Sequence, residues 1–170
     1  GLGDIGLEIA RVARAFGVRI IGVSRSGRKL RGVEAVYRPA MLRRALARCD
    51  FAVITLPLTA ATRGLIGDRE LRAMKPTAWV VNIGRGPVIQ EGALLRALGE
   101  RWIAGAILDV FETEPLPSDH PFWGQESVVV TPHIAGPSLP EEIAPIFNDN
   151  LSRYLAGKRL RYVVNRTRGY

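Results

Sequence analysis

Short apolar stretches alternate with amphipathic stretches along most of the chain. Five stretches rich in Val and Ile are almost continuously apolar, which is typical of strands that are covered on both faces of a parallel sheet. They span residues 19–23, 51–54, 78–82, 104–108 and 128–131. Apolar residues at three- and four-residue steps predict helices over 5–16, 40–47, 68–74 and 91–98. This alternation predicts an α/β fold with a doubly wound parallel sheet.

The C-terminal segment has a different pattern, which predicts a longer helix ending near Gly157 and a short extended tail at 161–164. Pro145 fits that helix only near its first turn or as a kink. The apolar stripe of the helix consists of Ile143, Phe147, Leu151, Tyr154 and Leu155. We therefore predict a boundary after residue 138, which separates an α/β domain at 1–138 from a helix and tail at 139–170.

The first six residues contain Gly1, Gly3 and Gly6 in a G-x-G-x-x-G spacing, with Asp4 and Ile5 before the last glycine. Such glycines let a chain turn off a strand and begin a helix whose N-terminus binds a pyrophosphate. The spacing alone is weak evidence, but an amphipathic helix begins within it and a strand follows. We therefore expect 1–138 to be a Rossmann-like dinucleotide-binding domain. Because the strand that feeds this turn is central to a doubly wound sheet and is absent from the sequence, we expect the domain to lack its first strand, in an N-terminally truncated chain.

The residues after the 19–23 strand indicate which dinucleotide is bound. An Asp or Glu at this place would accept hydrogen bonds from the adenosine ribose of NAD, but the sequence SRSGRK contains no carboxylate. Ser24 can donate a hydrogen bond to a 2′-phosphate, and Arg25 or Arg28 can bind it through paired hydrogen bonds. The sequence therefore favours NADP(H), with NAD(H) as the alternative. A polar turn without a ligand is the competing interpretation of these residues.

Three loops that follow predicted strands each contain one candidate catalytic side chain: Arg85, Glu114 and His133. Arg85 can bind a substrate carboxylate or polarise a carbonyl, and His133 can deliver a proton to the carbonyl oxygen. Glu114 can orient the imidazole and keep it protonated near neutral pH. We prefer His133 to His120 because His133 directly follows an apolar strand, whereas His120 is placed to cap or pack a loop beside Trp123. These residue types suit hydride transfer to an α-keto acid.

Five segments resemble the D-isomer-specific 2-hydroxyacid dehydrogenase family: GLGDIG, LPLTAATRGLI, VNIGRGPVI, LDVFETEPLP and TPHIAG. The resemblance runs from Gly1 to the end of the chain. VSRSGRK and VVNRTRGY are most similar to the glyoxylate/hydroxypyruvate reductase branch, which uses NADPH. The resemblance implies an oxidoreductase that acts on a small 2-keto or 2-hydroxy acid, with Arg85, Glu114 and His133 as the catalytic residues.

The same resemblance implies the remaining cofactor contacts. Asp109 corresponds to the acid that contacts the nicotinamide carboxamide, and Ile83 contributes backbone near the nicotinamide. Pro57 and Thr62 lie in the loop along the adenosine half, and Gly136 is assigned to the cofactor site as well. The resemblance further implies a homodimer, and a C-terminal segment that returns to a mostly missing substrate domain and is left partly uncovered.

Composition argues against several other functional classes. The net charge is +8, but the 24 Lys and Arg residues are scattered and no basic run is interleaved with aromatic residues, which argues against nucleic-acid binding. No apolar run approaches the ~20 residues of a membrane-spanning helix. The single cysteine, Cys49, cannot form an internal disulfide, which favours a cytoplasmic location, and we expect it to be a small packed side chain rather than a reactive thiol. No metal site is predicted.

A second functional class is a dinucleotide-sensing, corepressor-like protein on the same scaffold, which would bind the cofactor without turnover. The presence of Arg85, Glu114 and His133 argues against it, because a sensor has no need of a proton donor held by a carboxylate.

Overall fold

The structure is a computed structural model that describes residues 1–136 and 139–166. Residues 137–138, at the predicted domain boundary, and 167–170, at the end of the predicted tail, lie outside the described residues. The helices are α1 (Asp4–Ala15), α2 (Leu42–Leu46), α3 (Asp68–Leu71), α4 (Glu91–Gly99) and α5 (Pro140–Leu155). The strands are β1 (Ile21–Val23), β2 (Ala35–Tyr37), β3 (Phe51–Ile54), β4 (Trp79–Asn82), β5 (Gly105–Leu108) and β6 (Val128–Val130).

The strands pair in parallel and form two sheets within the described residues. β3, β4, β5 and β6 are neighbours in that order, and β1 pairs with β2 in a separate two-stranded sheet. Helices lie between most successive strands, as a parallel arrangement requires. The predicted parallel α/β fold is confirmed.

The hydrophobic core surrounds the four-stranded sheet. Its residues that are at most 2% exposed include Leu71 of α3, Val80 of β4, Leu94 of α4 and Val88 of the 3-10 turn Gly86–Val88. Because β4 and β5 are covered on both faces, they are almost continuously apolar, which is the pattern that revealed them. No residue of α1, β1 or β2 belongs to this core cluster.

Helix α1 has the predicted apolar stripe, but the stripe is largely uncovered. Ile5 is 61% exposed and Phe16 is 82% exposed, and Ala10 is the buried residue of the helix. After α1 the chain turns at Gly17, whose φ of 77° is the left-handed conformation expected of a C-terminal glycine.

Several predicted boundaries differ from the structure. β2 is not predicted, since it has only three half-buried residues and is defined by its pairing with β1. The predicted 40–47 helix is a 3-10 turn, Pro39–Met41, followed by the short α2, because Pro39 begins the segment. The predicted 68–74 helix is assigned only over Asp68–Leu71.

A second compact unit begins at Ile134 and contains α5. The helix starts at Pro140, runs through Pro145 in its second turn, and ends at Leu155 before Gly157, which has a φ of 63°. The tail is not extended throughout, because Tyr162 has a left-handed φ of 57°. No residue of α5 is buried, in line with the partly uncovered face that we expect. The assignment of 139–170 to a substrate domain stays a prediction.

Cys49 is half-buried, and its thiol lies 3.2 Å from the Ala45 carbonyl oxygen. Burial raises the pKa of this thiol, and the neighbouring Asp50 carboxylate raises it further. A packed thiol with a raised pKa is a weak nucleophile, as predicted. None of the helices in the described ranges combines the length and the apolar character needed to cross a membrane.

Candidate active site

The glycine turn at the start of α1 is tight on one side and open on the other. A Cβ placed on Gly6 would lie 2.1 Å from the Gly1 carbonyl oxygen, so this position requires glycine. A Cβ placed on Gly3 would meet nothing within 4 Å, which leaves room for a ligand to approach the backbone. Asp4 and Ile5 form the first turn of α1, where backbone N–H groups lack helical partners. The turn therefore fits a pyrophosphate at a helix N-terminus.

Residues 24–28, which we call the ribose turn, follow β1. The Ser24 hydroxyl accepts a hydrogen bond from the Gly27 N–H at 3.2 Å, and the Arg28 N–H donates to the Ser26 hydroxyl at 3.2 Å. Gly27 has a φ of 62°, which closes the turn. The side chains of Arg25 and Arg28 are exposed beside Ser24. The structure thus brings together the three residues predicted for a 2′-phosphate.

Arg85 lies in a loop that Asn82 organises. The Asn82 side chain, which is 1% exposed, accepts a hydrogen bond from the Gly84 N–H at 3.1 Å and donates to the Arg85 carbonyl at 3.1 Å. A Cβ on Gly86 would lie 2.0 Å from the backbone carbonyl of Phe111, so this loop is pressed against the loop that contains Glu114. Asn82 therefore positions the Arg85 loop, and sequence reasoning missed it.

Glu114 is hydrogen-bonded on both carboxylate oxygens. Oε2 lies 2.7 Å from the Nδ1 of His133, and Oε1 accepts a hydrogen bond from the Phe111 N–H at 3.0 Å. The pKa of the Glu114 carboxyl is below its ordinary value. Partial burial acts to raise this pKa, but the two hydrogen bonds and the nearby charges of His133 and Arg85 outweigh burial. Glu114 therefore favours the carboxylate form, in contact with the His133 imidazole and under the influence of the Arg85 charge.

The backbone of His133 is fixed at the end of β6. Its N–H lies 2.9 Å from the carbonyl oxygen of Asp109 and its φ is 55°, an uncommon conformation for a residue with a side chain. The His133 side chain is 50% exposed. His120, by contrast, caps the 3-10 turn Pro121–Gly124 and contacts Glu91 at 3.0 Å. His120 therefore has a structural role in its own loop.

Asp109 is a buried carboxylate, 3% exposed, at the end of β5. Its Oδ1 accepts a hydrogen bond from the Thr131 hydroxyl at 2.5 Å, and its backbone N–H donates to the Asn82 carbonyl at 3.0 Å. These contacts join the ends of β4, β5 and β6. Thr131 supports Asp109, and sequence reasoning assigned it no such role.

The remaining predicted cofactor residues lie in three parts of the chain. The Thr62 hydroxyl donates to the Pro57 carbonyl at 2.6 Å and accepts from the Thr59 N–H at 2.8 Å, so it fixes the shape of its own loop. The Ile83 N–H donates to the Ile54 carbonyl at 3.2 Å, which places Ile83 at the ends of β3 and β4. Gly136 belongs to the second unit, and a Cβ there would meet nothing within 4 Å.

Arg85, Glu114 and His133 come from three different loops that follow strands of the four-stranded sheet. Glu114 and His133 are in direct contact, and the charge of Arg85 is near enough to lower the pKa of Glu114. In the described residues, no group of three or more His, Cys, Asp and Glu side chains is placed to hold a metal ion. A cation near a carboxylate that holds an imidazole can bind an anionic substrate and transfer a proton to it.

Residues 1–135 match the family model described as "D-isomer specific 2-hydroxyacid dehydrogenase, NAD binding domain". A glyoxylate reductase from Aeropyrum pernix is 43% identical over 168 residues, which cover 98% of this chain and 50% of the relative. One from Thermococcus gammatolerans is 42% identical over 171 residues, with the same two coverages. The chain thus spans about half the length of the curated relatives it matches.

Solved structures give the same result. A D-isomer specific 2-hydroxyacid dehydrogenase from Xanthobacter autotrophicus in complex with NADPH is 40% identical, with a TM-score of 0.95 over 100% of this chain and 70% of that chain. An NADPH-dependent glyoxylate/hydroxypyruvate reductase from Sinorhizobium meliloti in complex with NADP is 36% identical, with a TM-score of 0.94 over 100% and 55%. The predicted resemblance is confirmed, and this chain belongs to the D-isomer specific 2-hydroxyacid dehydrogenase family.

Proposed function

We propose that this protein is an oxidoreductase that transfers a hydride between NADP(H) and a small 2-keto or 2-hydroxy acid of the glyoxylate and hydroxypyruvate class. The observation that carries the proposal is the 2.7 Å contact between Glu114 and His133, with the charge of Arg85 close enough to lower the pKa of Glu114. Relatives named glyoxylate reductase, and structural neighbours that contain NADPH or NADP, support the substrate class and the cofactor.

His133 is the proposed proton donor in reduction. Its Nδ1 is engaged with the Glu114 carboxylate, so Nε2 is the ring nitrogen that exchanges a proton with the substrate oxygen. Glu114 holds the ring in one orientation through this hydrogen bond. Arg85 binds the substrate carboxylate or polarises its carbonyl. The bound nicotinamide supplies the hydride.

The dinucleotide site would extend from the glycine turn to the carboxyl ends of β3–β6. The open side of Gly3 and the tight packing of Gly6 support a pyrophosphate at the start of α1. Asp109 would contact the nicotinamide carboxamide, with Ile83 nearby. The remaining proposed cofactor residues are Gly1, Asp4, Ile5, Ser24, Arg25, Arg28, Pro57, Thr62 and Gly136.

We further propose that the protein is a homodimer in a reducing compartment such as the cytoplasm, and that 139–170 belongs to a substrate domain. The exposed apolar residues of α5 support the last point, because such a surface is normally covered by other structure. The single cysteine supports the compartment. Sedimentation of the purified protein tests the dimer directly.

The proposed reaction is tested by following NADPH absorbance with glyoxylate, hydroxypyruvate or phenylpyruvate in wild type, His133→Gln and Glu114→Gln. We expect His133→Gln to lower kcat by about 10²–10⁴-fold, since a positioned proton donor contributes that much. His120→Gln is the matched control and should retain the rate, with folding checked by thermal unfolding. Tight NADPH binding without turnover of any 2-keto acid would favour the dinucleotide-sensing alternative and contradict the proposed reaction.

A further inference from the structure

We propose that Arg38, the residue after β2, is a specificity-determining residue that binds the 2′-phosphate of NADP(H) together with the ribose turn. This inference rests on the proposed function. Neither the motif G-x-G-x-x-G nor the SRSGRK segment contains Arg38. It is 14 positions beyond Ser24 and directly follows β2, a strand that the sequence pattern does not predict.

Strand pairing places Arg38 beside the ribose turn. β1 and β2 are parallel, with Val23 opposite Tyr37, so both strands end at the same level. The Ser24 N–H continues the ladder by donating to the Tyr37 carbonyl at 3.0 Å. Ser24 and Arg38 therefore lie next to each other at the carboxyl edge of this sheet. The carboxyl edge of a parallel sheet is where dinucleotides bind.

The side chain of Arg38 lies across the ribose turn. A Cβ built on Gly27 would lie 2.7 Å from the Cγ of Arg38 and 3.3 Å from its Nε. Because Nε is part of the guanidinium, the positive charge lies beside the turn, and the exposed side chain is accessible to a ligand there. Gly27 also has a φ of 62°, so both its conformation and its close neighbour favour glycine. This packing restricts the arginine before any ligand binds.

The chain segment that forms the ribose turn contains positive charge and no carboxylate. Residues 24–33 have no Asp or Glu, and among the described residues none of the identified ion pairs includes Arg38. The next carboxylate along the chain, Glu34, precedes β2 at its opposite end and is bound to Arg48 at 2.5 Å. The ribose turn contains the exposed Arg25 and Arg28, and Arg38 lies against it at Gly27. Arginine binds a doubly charged phosphate through paired hydrogen bonds, so a third arginine at this turn suits the 2′-phosphate.

Binding measurements on three variants test the role of Arg38. Arg38→Met keeps the stem that packs on Gly27 but removes the charge, Arg38→Lys keeps the charge, and Arg44→Met removes an exposed charge from α2 as the matched control. Each is titrated with NADPH and with NADH, followed by fluorescence, and 2′,5′-ADP is compared with 5′-AMP as a competitor. Thermal unfolding shows that each variant is folded.

For Arg38→Met we expect about tenfold weaker binding of NADPH and of 2′,5′-ADP, with binding of NADH and of 5′-AMP unchanged. Arg38→Lys should lose less affinity for NADPH than Arg38→Met does. Arg44→Met should bind both dinucleotides as tightly as wild type. If wild type prefers NADPH and Arg38→Met leaves that preference intact, or weakens NADPH and NADH equally, Arg38 does not bind the phosphate and only this inference fails. If wild type binds neither dinucleotide, the proposed function fails and this inference fails with it.

Discussion

The contact between the Arg85 loop and the Glu114 loop predicts a large effect of Gly86→Ala. The new Cβ would lie 2.0 Å from both carbonyl atoms of Phe111 and 2.6 Å from the backbone nitrogen of Glu112, whereas ordinary contacts begin at 3.4 Å. These neighbours are backbone atoms, so they cannot rotate away, and the two loops must separate by roughly 1.4 Å. The Phe111 N–H also holds Glu114, so the movement changes the position of Arg85 relative to Glu114.

Overpacking of a core costs about 1–3 kcal/mol, and a backbone clash belongs at the upper end of that range. A cost of about 3 kcal/mol lowers Tm by about 9 °C in a chain of this size. A displacement of about 1 Å between catalytic groups lowers kcat/KM by about 10²-fold. Both the Tm and the kcat/KM of Gly86→Ala should therefore be lower than those of wild type.

Circular dichroism melts and the NADPH assay measure the two effects. Gly99→Ala is the matched control, because Gly99 ends α4 and its Cβ would meet nothing within 4 Å. The Gly99→Ala control should keep the kcat/KM of wild type. Its free energy of unfolding should rise by up to about 1 kcal/mol, because alanine is favoured over glycine in a helix. A Gly86→Ala protein with the Tm and kcat/KM of wild type would refute the inference that this close approach positions the site.

Three further changes have defined outcomes. Gly3→Ala should weaken NADPH binding by about tenfold in a titration while leaving Tm unchanged, because its Cβ points into open space that the ligand would need. Thr131→Val should lower the free energy of unfolding in urea by about 2 kcal/mol, because the buried Asp109 carboxylate loses a donor. The exposed Thr77→Val is its control and should be nearly neutral. The lowered pKa of Glu114 means that its carboxylate stabilises the folded state above its ordinary value of 4.5 and that this stabilisation is lost as pH falls through the lowered value. The Tm difference between wild type and Glu114→Gln should therefore be present near neutral pH and shrink below pH 4.5; a constant difference would contradict this linkage.

The sequence predicts the four-stranded sheet to within one residue at each strand end. β4 and β5 are covered on both faces, and this burial requires apolar residues along their whole length. β3 and β6 are equally apolar in sequence, although Phe51 and Val129 are exposed. β2 has no such signal, because its three residues are only half-buried and its pairing with β1 is visible only in three dimensions. Missing β2 also hides Arg38, which reaches the ribose turn through that pairing.

The predicted catalytic residues are recognisable because each follows a strand that the pattern reveals. Asn82 and Thr131 act on other residues through hydrogen bonds between distant parts of the chain, so no local spacing identifies their roles. A weak signal exists for Asn82, which is a polar residue at the end of an otherwise apolar strand. A buried amide in that position needs partners, and here the partners are the backbone of the Arg85 loop.

The division of the strands into two sheets has a consequence for how cofactor preference can change. The ribose turn and Arg38 sit on β1 and β2, which contribute nothing to the core cluster, while Arg85, Glu114 and His133 are supported by the buried sheet. Substitutions that change the preference between NADPH and NADH can accumulate at the ribose turn and Arg38 with little loss of folding stability. They would leave Arg85, Glu114 and His133 undisturbed. Selectivity for the coenzyme and the chemistry itself are thus open to independent evolution, and to independent engineering, within a single domain.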